Sequence, residues 1–164
     1  MSHIARTIAG LAIAAAISSP VAAQGVVTQK SISLPMAQAI ANAVIAKCQS
    51  MGFKISVSVL DRGGLALVML RDEGASLHTV ESSDRKAYTA RTFRQPSSAW
   101  AKRTETVNQG QRMLADVIPL GGGMPINIGE ETIGGVGLSG APGGQEQEEA
   151  CAKAGIAKVA DQLK

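Results

Sequence analysis

Residues 54–70 read KISVSVLDRGGLALVML, and this stretch decides the fold class. Its first seven residues alternate, which is typical of a half-buried β-strand with Lys54, Ser56 and Ser58 on the polar face. The run DRGG predicts a turn, and residues 65–70 resume as a second, almost wholly apolar strand. We therefore predict a β-hairpin whose second strand is central in the sheet and covered on both faces.

Helical patterns flank this hairpin. Ser33 is expected to cap a first helix that ends at Gly52, because apolar residues between them recur at helical spacing. Ser76 is expected to cap a second helix through about Phe93. The remaining predicted elements are a short helix or turn over 99–103, a weak helix over 105–115, a hairpin over 126–138 and a last helix over 145–163. No strand–helix–strand unit repeats, so the expected class is α+β.

Residues 1–23 have the pattern of a cleavable secretory signal peptide. A weakly basic start precedes the apolar run 8–17, and small residues lead to a cleavage site after Ala23. A retained membrane anchor is the less favoured alternative, since a spanning helix needs about 20 apolar residues. We expect a signal peptide over 1–23, a single domain over 24–164 without a membrane span, and a periplasmic or secreted location.

Net charge and cysteine content limit the classes of function that the chain can have. Cleavage removes one Arg and no acidic residue from a chain of net charge +3, so the exported protein is nearly neutral and no nucleic-acid partner is expected. Cys48 and Cys151 could form a disulfide in an oxidising compartment. The favoured alternative is two buried free thiols, because two cysteines do not make a framework pattern.

His78 is the first residue that could carry chemistry. It is the only histidine left after cleavage, and a neutral imidazole can ligate a metal or haem iron. The alternative is a surface histidine without a role. The glycine-rich segment 134–144 leads into the last helix, where free N–H groups attract carboxylates. A tight strand-to-helix connection is the simpler interpretation of that segment.

A basic cluster on and before the second helix could hold ligand carboxylates. Its alternative is a solvated face paired with Glu81 and Asp84. The cluster consists of Arg71, Arg85, Lys86, Arg91 and Arg94, among which Arg71 and Arg85 could meet. The sequence has no Gly-x-Ser-x-Gly nucleophile elbow and no carboxylate pair that can be singled out as acid and base, so it predicts no catalytic residue.

Four segments in order resemble the GlcG/HbpS-like haem-binding family, which also occurs as the C-terminal domain of PduO. They read VSVLDRGGLALVMLRDEGA, SSDRKAYTARTF, GGGMPI and GGVGLSGAPGGQEQEEACAKAGI. The resemblance implies a profilin-like α+β fold, with an antiparallel sheet between helices, a homo-oligomer and haem as cofactor. His78 lies where relatives commonly have small or apolar residues, so the resemblance itself does not supply it as the iron ligand.

The resemblance also implies a shared pocket. The positions expected to bind the ligand are Arg71, Lys86, Tyr88, Gly122, Gly123 and Gly140, with His78 as the metal ligand. The function expected is an exported haem-binding protein, acting in binding, storage or haem and redox sensing rather than turnover. The alternative is binding or turnover of a small organic acid in a basic, glycine-rich pocket.

Overall fold

The computed structural model describes residues 25–163, so the predicted signal peptide lies outside the described residues. Helices and one antiparallel sheet make up an α+β fold, which confirms the predicted class. The elements are α1 Leu34–Ser50, β1 Ser56–Leu60, β2 Ala66–Arg71, α2 Thr79–Phe93, α3 Ser97–Arg103, a 3₁₀ turn Gln109–Met113, β3 Gly123–Ile128, β4 Glu131–Ser139, α4 Gln145–Ala157 and a 3₁₀ turn Ala160–Gln162.

Helix α1 follows the sequence prediction at both ends. The Ser33 hydroxyl accepts a hydrogen bond from the Met36 N–H at 3.4 Å, and Pro35 lies in the first turn. The helix ends at Ser50, and Gly52 follows with a φ of +79°. This left-handed conformation costs glycine little, which explains why glycine stands there.

The sheet has the strand order β2–β1–β4–β3, with every neighbouring pair antiparallel. Strand β2 is therefore an edge strand, and the prediction of a central β2 was wrong. Val59 of β1 pairs with Val68 on one side and with Val136 of β4 on the other, so β1 holds the central place. Within β2 only Val68 is buried. An apolar run does not by itself distinguish a central strand from an edge strand that a helix partly covers.

The prediction that β1 is half-buried was also wrong, because both of its faces are covered. Val57 and Val59 belong to the main core, on the side of α1 and α4. Ser56 and Ser58 face α2, where the Ser56 hydroxyl lies 2.8 Å from the Thr79 hydroxyl. Ser58 donates to the carboxylate of Asp84 at 2.7 Å. Small hydroxyl side chains let the helix approach closely and find hydrogen-bond partners on it, so the polar face is buried rather than solvated.

Helices α1 and α4 pack on each other over the sheet face that carries Val57 and Val59. A disulfide joins Cys48 to Cys151 between the two helices. The favoured interpretation of two free thiols was therefore wrong. Both cysteines are fully buried. Gly155 lies where α4 meets α1, and a Cβ there would overlap the Val44 side chain.

Two predicted helix boundaries and one predicted weak helix need correction. Helix α2 begins at Thr79, three residues after Ser76, whose backbone carbonyl accepts from both the amide and the hydroxyl of Thr79. The last helix ends at Ala157, and a 3₁₀ turn continues the chain. The segment expected to be weakly helical contains only the 3₁₀ turn Gln109–Met113.

Candidate functional site

The loop of residues 72–78 between β2 and α2, here called the β2–α2 loop, is fixed by Asp72. The buried carboxylate accepts from the Gln49 side chain at 2.9 Å and from the Gly74 N–H at 3.0 Å, and it pairs with Lys54. The Gln49 and Gly74 hydrogen bonds and the charge of Lys54 outweigh burial and lower the pKa of Asp72 below its usual 3.8. Because the folded state has the lower pKa, this stabilisation is present above pH 3.8 and is lost as the pH falls through the folded pKa.

The β2–α2 loop carries the predicted metal ligand. His78 is exposed and stands at the N-cap of α2, where its side chain makes no capping hydrogen bond. Leu77 beside it is 90% exposed. The exposed Arg71 folds over the same loop and donates to the Ala75 carbonyl at 3.0 Å. The loop thus carries an exposed imidazole and an exposed apolar side chain, and an exposed guanidinium bonds to its backbone.

A second group of predicted residues gathers inside the protein around Glu148. The Lys86 ammonium lies 2.6 Å from this carboxylate, and both side chains are at most 5% exposed. Lys86 also donates to the Leu138 carbonyl at 3.3 Å, while Glu148 accepts from the Gly140 N–H at 2.9 Å. This buried ion pair is satisfied by its protein neighbours, so it contributes no free cation to the surface.

The glycines of this group are points of close approach, and Gly122 makes room for the ion pair. A Cβ on Gly122 would come within 2.5 Å of the Glu148 carboxylate and 2.8 Å of the Leu138 carbonyl, and a Cβ on Gly123 would overlap the Lys86 carbonyl. Gly140 has a φ of +120°, and a Cβ there would meet the backbone of Lys54. The close approach of other groups accounts for these three glycines.

Side chains near the start of α4 accept hydrogen bonds from backbone N–H groups of neighbouring segments. Glu149 accepts from the N–H groups of Ser98 at 3.2 Å and Gly122 at 3.4 Å, and Gln145 accepts from the Gly121 N–H at 2.8 Å. Within the glycine-rich segment, Glu148 takes the Gly140 N–H that the sequence left open for a ligand carboxylate, whereas no side chain caps α4 at Gly144. The sequence shows Glu148 and Glu149 only as acids early in a helix, so their internal role was missed.

The remaining predicted residues lie apart from both groups. The half-buried Tyr88 packs its ring against Gly64, where a Cβ would come within 3.1 Å of the ring. Arg85 pairs with Glu81 and donates to the Val117 carbonyl at 2.7 Å, whereas Arg71 bonds to the adjoining β2–α2 loop. The structure thus divides the predicted site among the β2–α2 loop, the Glu148 interior and the Tyr88 contact.

A cleft of about 590 Å³ lies beside α3 and the start of α4. Charged residues dominate its lining, including Lys102, Glu105 and Glu146. An apolar macrocycle does not fit such a lining. Residues 25–163 contain no group of three or more His, Cys, Asp or Glu side chains that could hold a metal ion. In the same residues no helix is long and apolar enough to cross a membrane.

An antiparallel four-stranded sheet between α2 and the α1–α4 pair defines the class, an α+β domain. The model of the family described as "Haem degrading protein HbpS-like" matches residues 32–157, and the chain belongs to this family. The same fold occurs in HbpS of Streptomyces reticuli, solved as a double mutant, with a TM-score of 0.79 and 33% identity. That match covers 87% of this chain and 97% of the other.

Two further relatives extend the comparison. The solved complex of PduOC with haem matches with a TM-score of 0.69 and 25% identity, covering 77% of this chain and 93% of the other. An uncharacterised 15.0 kDa protein from the dhaT–dhaS intergenic region of Citrobacter freundii is 32% identical over 133 residues, which is 77% of this chain and 90% of the relative.

Proposed function

We propose that this protein is exported and binds haem at the β2–α2 loop, in storage or haem and redox sensing rather than turnover. The observation that carries the proposal is the similarity to PduOC, a protein solved in complex with haem, within a family named for haem. The charged cleft beside α3 is a poor alternative site, because haem needs apolar walls.

The β2–α2 loop and the adjoining Arg71 fit haem in three respects. His78 offers an exposed imidazole that could hold the iron, as haem iron needs one or two protein ligands rather than a cluster. Arg71 offers a guanidinium to a propionate, and Leu77 offers an apolar surface. Bound haem supplies a redox-active iron; the protein's part is to hold and orient it.

A second surface would have to cover the outer face of the macrocycle, since the loop is exposed. We expect another copy of the chain to supply it, in line with the homo-oligomer expected from the sequence. Sedimentation of the protein with and without hemin measures this: a larger species with hemin supports a shared site, and unchanged monomers contradict it.

Hemin titration tests the ligand. We expect saturable binding at micromolar hemin, with a shifted Soret band; an unshifted band would overturn the haem proposal. His78→Ala is expected to change the spectrum of the complex, because it removes the iron ligand. Glu73→Ala, an exposed change in the same loop, is the matched control and should leave the spectrum unaltered. A normal spectrum for His78→Ala would assign the iron to another residue, such as Tyr88 or a methionine.

Because the family is described as haem-degrading, haem turnover must also be measured. The haem complex is incubated with ascorbate in air and the Soret band is followed with time. A stable band, compared with free hemin under the same conditions, supports binding without degradation. Progressive loss of the band that depends on the protein would contradict that part of the proposal.

A further inference from the structure

A small pocket lies at the end of the sheet opposite the β2–α2 loop. Its volume is about 110 Å³. Three turns build it: the β1–β2 turn, the end of α2 and the β3–β4 turn. The lining residues are Arg62, Arg91, Arg94, Glu130, Glu131 and Thr132.

Three arginines converge on this pocket, and their internal partners do not neutralise all of them. Arg62 pairs with Glu131. The Nε of Arg91 donates to the backbone carbonyl of Arg62. Within residues 25–163 neither Arg91 nor Arg94 forms an ion pair, so two guanidinium groups face the pocket region without a carboxylate partner.

The position of Arg91 is electrostatically unfavourable. Burial, followed by repulsion from Arg62 and Arg94, lowers the pKa of the Arg91 guanidinium, while Asp61 and Tyr88 oppose the shift. The charged form of a guanidinium persists at neutral pH, because its usual pKa is far above 7. A bound anion would offset the repulsion among the three arginines.

We propose that the Arg62–Arg91–Arg94 pocket binds a small oxyanion, a carboxylate or phosphate group. Guanidinium groups bind such groups through paired, charge-assisted hydrogen bonds. The pocket is far smaller than the roughly 300–1,000 Å³ of sites for drug-sized ligands. It therefore admits the acidic group of a ligand and leaves the rest in solvent.

This site is separate from the proposed haem site. The two lie at opposite ends of α2, whose 15 residues span roughly 22 Å at 1.5 Å per residue. Glu130 lines the pocket with the opposite charge. It opposes anion binding, and its removal should increase affinity, a result that a merely structural role of the arginines does not predict.

Isothermal titration calorimetry tests the proposal. Sodium phosphate and sodium acetate are titrated separately, at an ionic strength held constant with chloride. We expect one saturable site per chain for at least one probe. Arg94→Asn should weaken binding about tenfold or more, the loss typical of a hydrogen bond to a charged group. Asparagine suits this position because Arg94 has a left-handed φ of 55°. Glu130→Gln should tighten binding.

Lys153→Gln also removes one positive charge, from an exposed position on α4. It is the matched control and should leave binding unaltered. Absence of saturable binding for both probes would overturn the proposal. An equal loss in Lys153→Gln, or unchanged affinity in Glu130→Gln, would do the same. Arg94→Asn should leave the Soret spectrum of the haem complex unchanged, so failure of this site and failure of the haem site are separate results.

Discussion

At the scale of single residues, the Lys86–Glu148 pair explains why several motif positions stand where they do. The ammonium and carboxylate are nearly inaccessible, Gly122 leaves room for both side chains, and the Gly140 N–H bonds to the carboxylate. Burying two charges is costly unless they pair and their remaining hydrogen bonds are made. Here they are made to the Leu138 carbonyl and the Gly140 N–H.

Removing one member of this ion pair should strongly destabilise the protein. We expect Lys86→Met to lower the free energy of unfolding by about 3–5 kcal/mol, because it leaves the Glu148 carboxylate buried and unpaired. The double variant Lys86→Met/Glu148→Gln should recover much of this loss, since the remaining amide oxygen still accepts from Gly140. Urea denaturation measures both.

Lys153→Met, which removes an exposed lysine from α4, is the matched control for that experiment. It should change stability little, as exposed ion pairs and charges contribute little. A double variant no more stable than Lys86→Met would show that the unpaired charge is not the cause. A stable, normally folded Lys86→Met would refute the structural role of the pair.

At the scale of elements, the glycines of β4 set how closely α2 lies on the sheet. A Cβ on Gly137 would overlap the Ser83 carbonyl and the Ala87 amide, and one on Gly135 would come within 2.7 Å of the Ala87 carbonyl. These contacts are with backbone, which cannot turn aside as a side chain can. The glycine-rich strand is therefore a packing surface for α2.

Gly137→Ala should consequently displace α2. We expect a loss of stability at or above the upper end of the about 1–3 kcal/mol typical of overpacked cores, measured by urea denaturation. Gly110→Ala is the matched control, because nothing lies within 4 Å of a Cβ there. Similar stabilities for the two variants would contradict the close packing.

The same elements show what the sequence could predict. The β1–β2 hairpin, the Ser33 cap and the second hairpin follow from local patterns and are confirmed. The places of β1 and β2 were wrong because they depend on long-range pairing: β4 adds to β1 only after the chain returns. Alternating serines could not reveal that a helix would cover them.

The site was predictable to a smaller extent. The resemblance found the residues around Lys86, whose arrangement is now seen to include Glu148. His78 was identified as the only histidine outside the predicted signal peptide, and in the structure it is exposed. The Arg62–Arg91–Arg94 pocket could not be found from spacing, because its members are brought together by three separate turns.

At the scale of the whole molecule, the disulfide connects the fold to the predicted export. Cys48 and Cys151 are 103 residues apart, so their bond closes most of the described domain into one loop. In the chain-entropy model a loop of about 100 residues gives a stabilisation of about 4.7 kcal/mol. Such a bond forms in oxidising compartments and is rare in the cytosol. The bond and the signal-like sequence thus point to the same location.

Export and disulfide formation can be tested together. We expect protein made with residues 1–23 in a bacterial host to be recovered from the periplasm with Gln24 as its first residue and no free thiol after denaturation. Cys48→Ala/Cys151→Ala should lose about 2–5 kcal/mol of unfolding free energy, the usual cost of losing a native disulfide. Protein made without residues 1–23 in the reducing cytosol is the matched control, with two titratable thiols and similarly reduced stability. Recovery of the full-length chain with an intact Met1 would contradict the cleavage, and two free thiols in the exported protein would contradict the bond.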